Sequence, residues 1–186
     1  MTVSKDHTYY GPVSKTLHWT AALCVLLAWL IGSIGDDIPR AAKATALSVH
    51  ISLGLAVLAI LLPRLVRRIA SPPQAQATRF SPWSDYLASI SHWLLYGLMA
   101  AVPAAGILLH FARGDALSVF GLFHIASPWA ADRALAHSIK DVHESLANAL
   151  MILATLHVVA ALFHHFILRD GTLIRILPHR HYPRES

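Results

Sequence analysis

The chain has 186 residues, 55% hydrophobic and only 13% charged, with a net charge of +5. A soluble domain carries roughly 25% charged residues and keeps a polar face on each surface helix. The composition therefore excludes an ordinary water-soluble domain, and the excess of bases reads as a membrane topology signal more than as a nucleic-acid surface.

The first apolar window, "LHWTAALCVLLAWLIGSIG", covers 17–35 and opens on His18. No small-residue cleavage site follows it, so the expectation is an anchor that is retained. The only cysteine, Cys24, lies inside this window, which leaves no intrachain disulfide. The second window, "ALSVHISLGLAVLAILLP" (46–63), has His50 near its start and Gly54 one turn later. The stretch "RLVRRIASPPQAQATRFSP" that follows is basic and contains proline, and it reads as contact with anionic lipid headgroups. The third window, "ISHWLLYGLMAAVPAAGILLHF" (90–111), carries His92 at its head and Pro103 as an expected kink. A longer connection containing Arg113 and the apolar run "ALSVFGLF", suited to lying on a membrane surface, leads to the fourth window, "LANALMILATLHVVAALFHHFIL" (146–168). Each window is about long enough to cross a ~30 Å hydrocarbon core. The expected fold is all-α: an integral membrane four-helix transmembrane bundle, one domain over 1–186.

Placing the N-terminus in the cytoplasm puts Lys5, Lys15, Arg64, Arg67, Arg68, Arg79, Arg169, Arg175, Arg180 and Arg184 on the cytoplasmic side. The other side receives Arg40, Lys43, Arg113, Arg133 and Lys140. Ten bases against five obey the positive-inside rule, so both termini are expected to be cytoplasmic.

Histidine is the residue that this composition does not explain, because an unpartnered imidazole in hydrocarbon costs free energy. His143 precedes the fourth window and His157 follows fourteen residues later, which is close to four turns and roughly 21 Å of helix. The two rings therefore share a face, and His164, seven residues on, shares it too. By depth, His18 is level with His157 and His50 with His143. Two such pairs on facing helices suit two haems b, each held between a pair of neutral imidazoles. Gly32, Gly54, Gly97 and Gly106 would let backbone approach the macrocycles. No C-x-x-C-H site exists for a c-type haem. A zinc site would want a compact cluster with thiolate or carboxylate help, which the spacing does not offer.

The segments "TLHW", "SVHISLG", "SHWLLY" and "KDVHESLAN…LHVVAALFHH" resemble the bacterial cytochrome b561 family from about Tyr9 to Pro178, and within it the members that oxidise superoxide and reduce ubiquinone. The resemblance implies a bacterial inner-membrane, multi-pass dihaem cytochrome that takes electrons from periplasmic superoxide and delivers them to ubiquinone. It implies His18, His50, His143 and His157 as ligands of the haem irons, with His92, His164 and His165 nearer to haem edges or quinone.

An anionic donor such as superoxide would be drawn by cations at the outer mouth, and Lys140 and Arg113 are the best placed. The outer segments as a whole hold five bases against six acids (Asp36, Asp37, Asp115, Asp132, Asp141 and Glu144), so any attraction rests on local placement. At the other face His164, and after it His165 or His92, suit a quinone headgroup, since imidazole both hydrogen-bonds carbonyls and delivers protons. Two further expectations differ in class: an electron-transfer subunit serving a periplasmic redox protein, and a histidine-lined metal transporter, which would be colourless.

Overall fold

Each apolar window falls largely on one helix, and every helix begins before its window does. They are α1 (Pro12–Ser33), α2 (Arg40–Ala70), α3 (Pro82–Ala112) and α4 (Arg133–Phe166). A short α5 (Thr172–Ile176) follows α4. The computed structural model describes residues 11–35, 37–70, 82–170 and 172–177. Lys5, Asp36, Arg79, Arg180 and Arg184 lie outside the described residues.

All four long helices are long and apolar enough to cross a membrane. At 34 residues, α4 runs about 51 Å, well past a ~30 Å core. The helices do not share the bounds of the expected spans: α1 begins and ends before 17–35 does, and α4 begins and ends before 146–168 does. Hydropathy marks the lipid-facing stretch, whereas helix ends follow local chemistry. Pro12 occupies the first turn of α1, where its missing N–H costs nothing. Asp132 caps α4 by accepting from the backbone N–H of Leu135 at 3.0 Å.

Contacts between specific residues define an antiparallel bundle. On α1 and α2, Ala28 meets His50 and Leu17 meets Arg64. On α2 and α3, Gly54 lies against Pro103 and Arg64 against Tyr96. On α3 and α4, Val102 meets His143 and His92 meets His157. One hydrogen bond, Trp29 Nε1 to Asn148 Oδ1, ties α1 to α4. The core is a thin layer of Ala21, Val57, Leu61, Met99 and Leu150, contributed by all four helices. Large apolar side chains such as Leu23, Leu62, Leu94 and Leu156 point outward and are exposed, an apolar coat that a bilayer covers.

The molecule is mostly helical, but the all-α expectation missed a two-stranded antiparallel hairpin, β1 (Leu117–Val119) with β2 (Phe123–Ile125). Its turn places Phe120 and Gly121 at φ 52° and 72°, the mirror-type turn that matches strand twist and favours glycine at such a position. Leu117 is buried beneath it and Leu122 is 81% exposed at the tip. The run "ALSVFGLF" thus combines an inward anchor with an outward apolar tip. Strands this short are weakly marked in sequence and are held here by packing on α2 and α3.

Candidate functional site

Two histidine clusters lie at different depths. One is nearer the end of the bundle that carries the hairpin; the other is nearer the end where α1 begins and α4 stops. Leu150 sits midway along α4, seven residues from His143 and seven from His157. The core layer that contains it separates the clusters.

At the hairpin end His50 of α2 faces His143 of α4, with ring centres 6.1 Å apart. That is about the span of two metal–imidazole bonds of ~2 Å plus half the width of each ring. The Nδ1 of His50 lies 2.9 Å from the Ala28 carbonyl on α1, and the Nδ1 of His143 lies 2.9 Å from the Val102 carbonyl on α3. A carbonyl only accepts, so each Nδ1 carries the proton and each Nε2 keeps its lone pair, the tautomer that a metal requires.

The two contacts are built the same way. Ala28 is followed one turn later by Gly32, and Val102 one turn later by Gly106. A Cβ at Gly32 would stand 3.2 Å from His50 Cε1, and one at Gly106 would stand 3.1 Å from His143 Cε1. Each missing side chain is therefore the space through which an imidazole reaches the carbonyl. All four helices contribute to this cluster, two with rings and two with backbone. The donor set fits a bis-histidine haem. Gly54 serves differently, packing on Pro103, and a Cβ at Gly97 would meet nothing within 4 Å.

The second cluster is arranged differently. His92 of α3 lies against His157 of α4, ring centres 5.3 Å apart, and its Nδ1 is bound to the Ala88 carbonyl of its own helix at 2.6 Å. His18 of α1 packs edge-on to Trp19 and lies within electrostatic reach of both other rings. Its Nδ1 is 3.2 Å from an Arg64 guanidinium nitrogen. The depth pairing joined His18 to His157; the structure adds His92 directly against His157 and brings in Arg64, which sequence reasoning had counted only as a topology charge.

Beyond this cluster His164 binds Asp170 through Nδ1 at 2.6 Å. The other Asp170 oxygen accepts the backbone N–H of Thr172 at 2.9 Å, at the start of α5. The end of α5 is fastened by Lys15 Nζ to the Leu177 carbonyl (2.8 Å) and by Trp19 Nε1 to the Ile176 carbonyl (3.0 Å). Burial pushes the Asp170 carboxyl up, but hydrogen bonds from Thr172 and His164 outweigh it and hold the group below the usual carboxylate range. Two buried nitrogens here, His165 Nδ1 and Arg175 Nε, have no hydrogen-bond partner. Asp170 escaped sequence reasoning and Arg175 was counted only as a topology charge, because only the turn after α4 brings them back toward that helix's end.

The sign of the Asp170 shift sets a pH dependence. A carboxylate whose pKa is lowered by folding adds stability above its unfolded value of about 3.9, and that stability is lost as pH falls through the folded value. Trp19 fluorescence, which reports the α1–α5 contact, is expected to change as pH falls below about 4, and D170N is expected to remove that transition.

At the hairpin end Lys140 pairs with Glu144 at 3.1 Å, both partly exposed. Among the described residues no hydrogen bond or ion pair engages the exposed Arg113 side chain. The two cations make no contact with each other.

Residues 9–179 match the family model described as prokaryotic cytochrome b561. The chain is 32% identical over 172 residues to a protein of Yersinia pestis named probable superoxide oxidase CybB, covering 92% of this chain and 97% of that one. It is 33% identical to cytochrome b561 homolog 2 of Escherichia coli K12, over 90% of each chain. It is 32% identical to cytochrome b562 of Cereibacter sphaeroides, over 90% of this chain and 94% of that protein. With its four apolar helices and its two histidine clusters, the chain belongs to the prokaryotic cytochrome b561 family of b-type haem, electron-transferring membrane proteins.

Proposed function

We propose that this protein is a superoxide:ubiquinone oxidoreductase of the bacterial inner membrane, with both termini cytoplasmic and two haems b held between its faces. The observation that carries the reading is the His50–His143 cluster, whose Nδ1 atoms are committed to backbone carbonyls while both Nε2 atoms remain free to ligate. His50 and His143 would hold one haem, and His18 and His157 the other, with His92 at the edge of the second. An iron held by two imidazoles has no open coordination position and supplies outer-sphere one-electron transfer.

The balance is simple. Two superoxide ions each give up one electron and leave as dioxygen. One ubiquinone takes both electrons with two protons and becomes ubiquinol. The name of the Yersinia relative supports superoxide as the donor.

At the periplasmic face Arg113 and Lys140 attract the anion. The Lys140–Glu144 pair is exposed and therefore weak, so it yields readily to an arriving charge. A K140Q/R113Q double variant is expected to lower the superoxide rate constant roughly tenfold at low salt and to flatten its salt dependence. Stopped-flow rates at several ionic strengths measure both effects.

At the cytoplasmic face the quinone headgroup meets His164 and His165, joined by Arg175. The orphaned His165 Nδ1 and Arg175 Nε are what a quinone, with its carbonyl oxygens, would satisfy. Asp170 orients His164 by accepting from its Nδ1, which leaves Nε2 to exchange a proton with the headgroup.

The deciding experiment follows the visible spectrum of the purified protein while superoxide is generated enzymatically, with and without a ubiquinone analogue. Reduced b-type bands that appear under superoxide and discharge on adding quinone are the expected result. Haems that ignore superoxide but accept electrons from quinol would instead make the protein a relay between the quinone pool and a periplasmic redox protein.

A further inference from the structure

Arg64 reaches into the second histidine cluster and contacts one of its rings directly. It lies on α2, half-buried, with one guanidinium nitrogen 3.2 Å from His18 Nδ1 and another 3.4 Å from the Leu17 carbonyl. Its Cζ lies over the Tyr96 ring, 5.8 Å from the ring centre. Among the described residues no carboxylate pairs with it. Arg67, one turn on, is exposed and reaches outward to Ser14 Oγ, as an interfacial arginine does. Arg64 instead points into the bundle, where a guanidinium without a counter-charge is costly.

The contact with His18 also has a chemical conflict. A guanidinium only donates, so His18 Nδ1 accepts here and the ring proton sits on Nε2. A neutral histidine that ligates iron through Nε2 carries its proton on Nδ1 and cannot accept there. The hairpin-end histidines have no such conflict, since their Nδ1 atoms already donate to carbonyls. At the second cluster, ligation by His18 releases a donor fork with no protein carboxylate waiting for it.

The geometry points to a carboxylate-binding role for Arg64: its fork holds a propionate of the haem at the His18–His157 cluster, and that carboxylate supplies the counter-charge that Arg64 lacks. This rests on the dihaem reading above. A bidentate guanidinium–carboxylate pair gives both strength and orientation, and its positive charge favours the reduced state of the iron beside it. Arg64 is thus a positioning and potential-setting residue, and the two haem sites differ: one is fixed by backbone carbonyls, the other by a side-chain cation.

The test is a redox titration of the purified full-length protein with haem content measured alongside. In R64Q, one of the two haem components is expected to shift to lower potential by about 59 mV, a tenfold change in its oxidised-to-reduced ratio at fixed poise, while the other component stays in place. An R64Q titration identical to wild type with full haem content would overturn the inference. A shift that appears in wild type only on removing anionic lipid, and is absent in R64Q, would also overturn it and assign Arg64 to a headgroup phosphate. Should R64Q not accumulate, R64K decides. It keeps the charge but not the fork, and infrared difference spectra on protein carrying haem labelled with carbon-13 at the propionates must then show a moved carboxylate band; an unmoved band overturns the inference. The control is H157A. If H157A keeps both haems, the dihaem reading itself fails, whatever R64Q does.

Discussion

Replacing His143 by alanine is expected to remove one haem and leave the other, halving the haem-to-protein ratio while the second b-type spectrum survives. The reason is positional. His143 and His157 share one face of α4, fourteen residues apart, and the layer of Leu150, Met99, Val57 and Ala21 lies between them. Loss of one ligand opens one coordination position and leaves the partner cluster packed by its own helices. H50A should match H143A, and H18A should match H157A, each pair affecting the same spectral component. H92A is the discriminating member of the series. On the proposed reading, in which His18 and His157 hold one haem, it is expected to keep both haems, even though His92 lies directly against the His157 ring. Quantitative haem extraction, with reduced-minus-oxidised spectra of the five variants and the wild type, measures this. If H92A loses a haem and H18A does not, the ligand opposite His157 is His92.

The second large effect concerns glycines, which have no side chain to ligate a metal. In G106A the new methyl would stand 3.1 Å from His143 Cε1, and in G32A 3.2 Å from His50 Cε1. Contacts that short force the ring to move by a few tenths of an ångström, and the ring is held on the other side by its carbonyl. The Nδ1–H hydrogen bond is therefore stretched, and with it the control of tautomer and orientation. Disturbing such an outer partner typically costs 10–100-fold in metal affinity. Both variants are expected to release the hairpin-end haem at least tenfold faster to apomyoglobin, with the other haem unaffected. G97A is the control, since a Cβ there meets nothing, and it should leave both release rates unchanged. A G106A protein with wild-type release of both haems would mean that the glycine serves only helix packing.

Much of this was legible in the chain. An apolar run long enough to cross a bilayer leaves the backbone little choice but helix, because every N–H and C=O must be satisfied within the segment. The number of spans therefore followed from hydropathy alone. The spacing of His143 and His157 followed from helix geometry, and the depth pairing of His50 with His143 proved to be a contact. Gly32 and Gly106 were visible as small residues, yet their purpose was not. A glycine's use depends on which ring approaches it from another helix.

What escaped reading has a common cause. The acceptors at Ala28 and Val102 are backbone atoms, present at every position, so no side-chain pattern announces them. Arg64 looked like any other base of a positive-inside loop, because the charge count is blind to direction. The hairpin was hidden in an apolar run whose strands span only three residues each. The Asp170–His164 pair needs the turn that follows α4.

The sequence by itself determined what is local or one-dimensional: the helical spans, the charge asymmetry between the two faces, and the depth of each histidine along its helix. Only the tertiary structure decided which ring faces which, which nitrogen of each ring is already spent on a carbonyl, and which arginine turns inward. Those are properties of helix rotation and packing. A turn of a few tens of degrees about a helix axis leaves the hydropathy pattern untouched but changes every partner of a side chain.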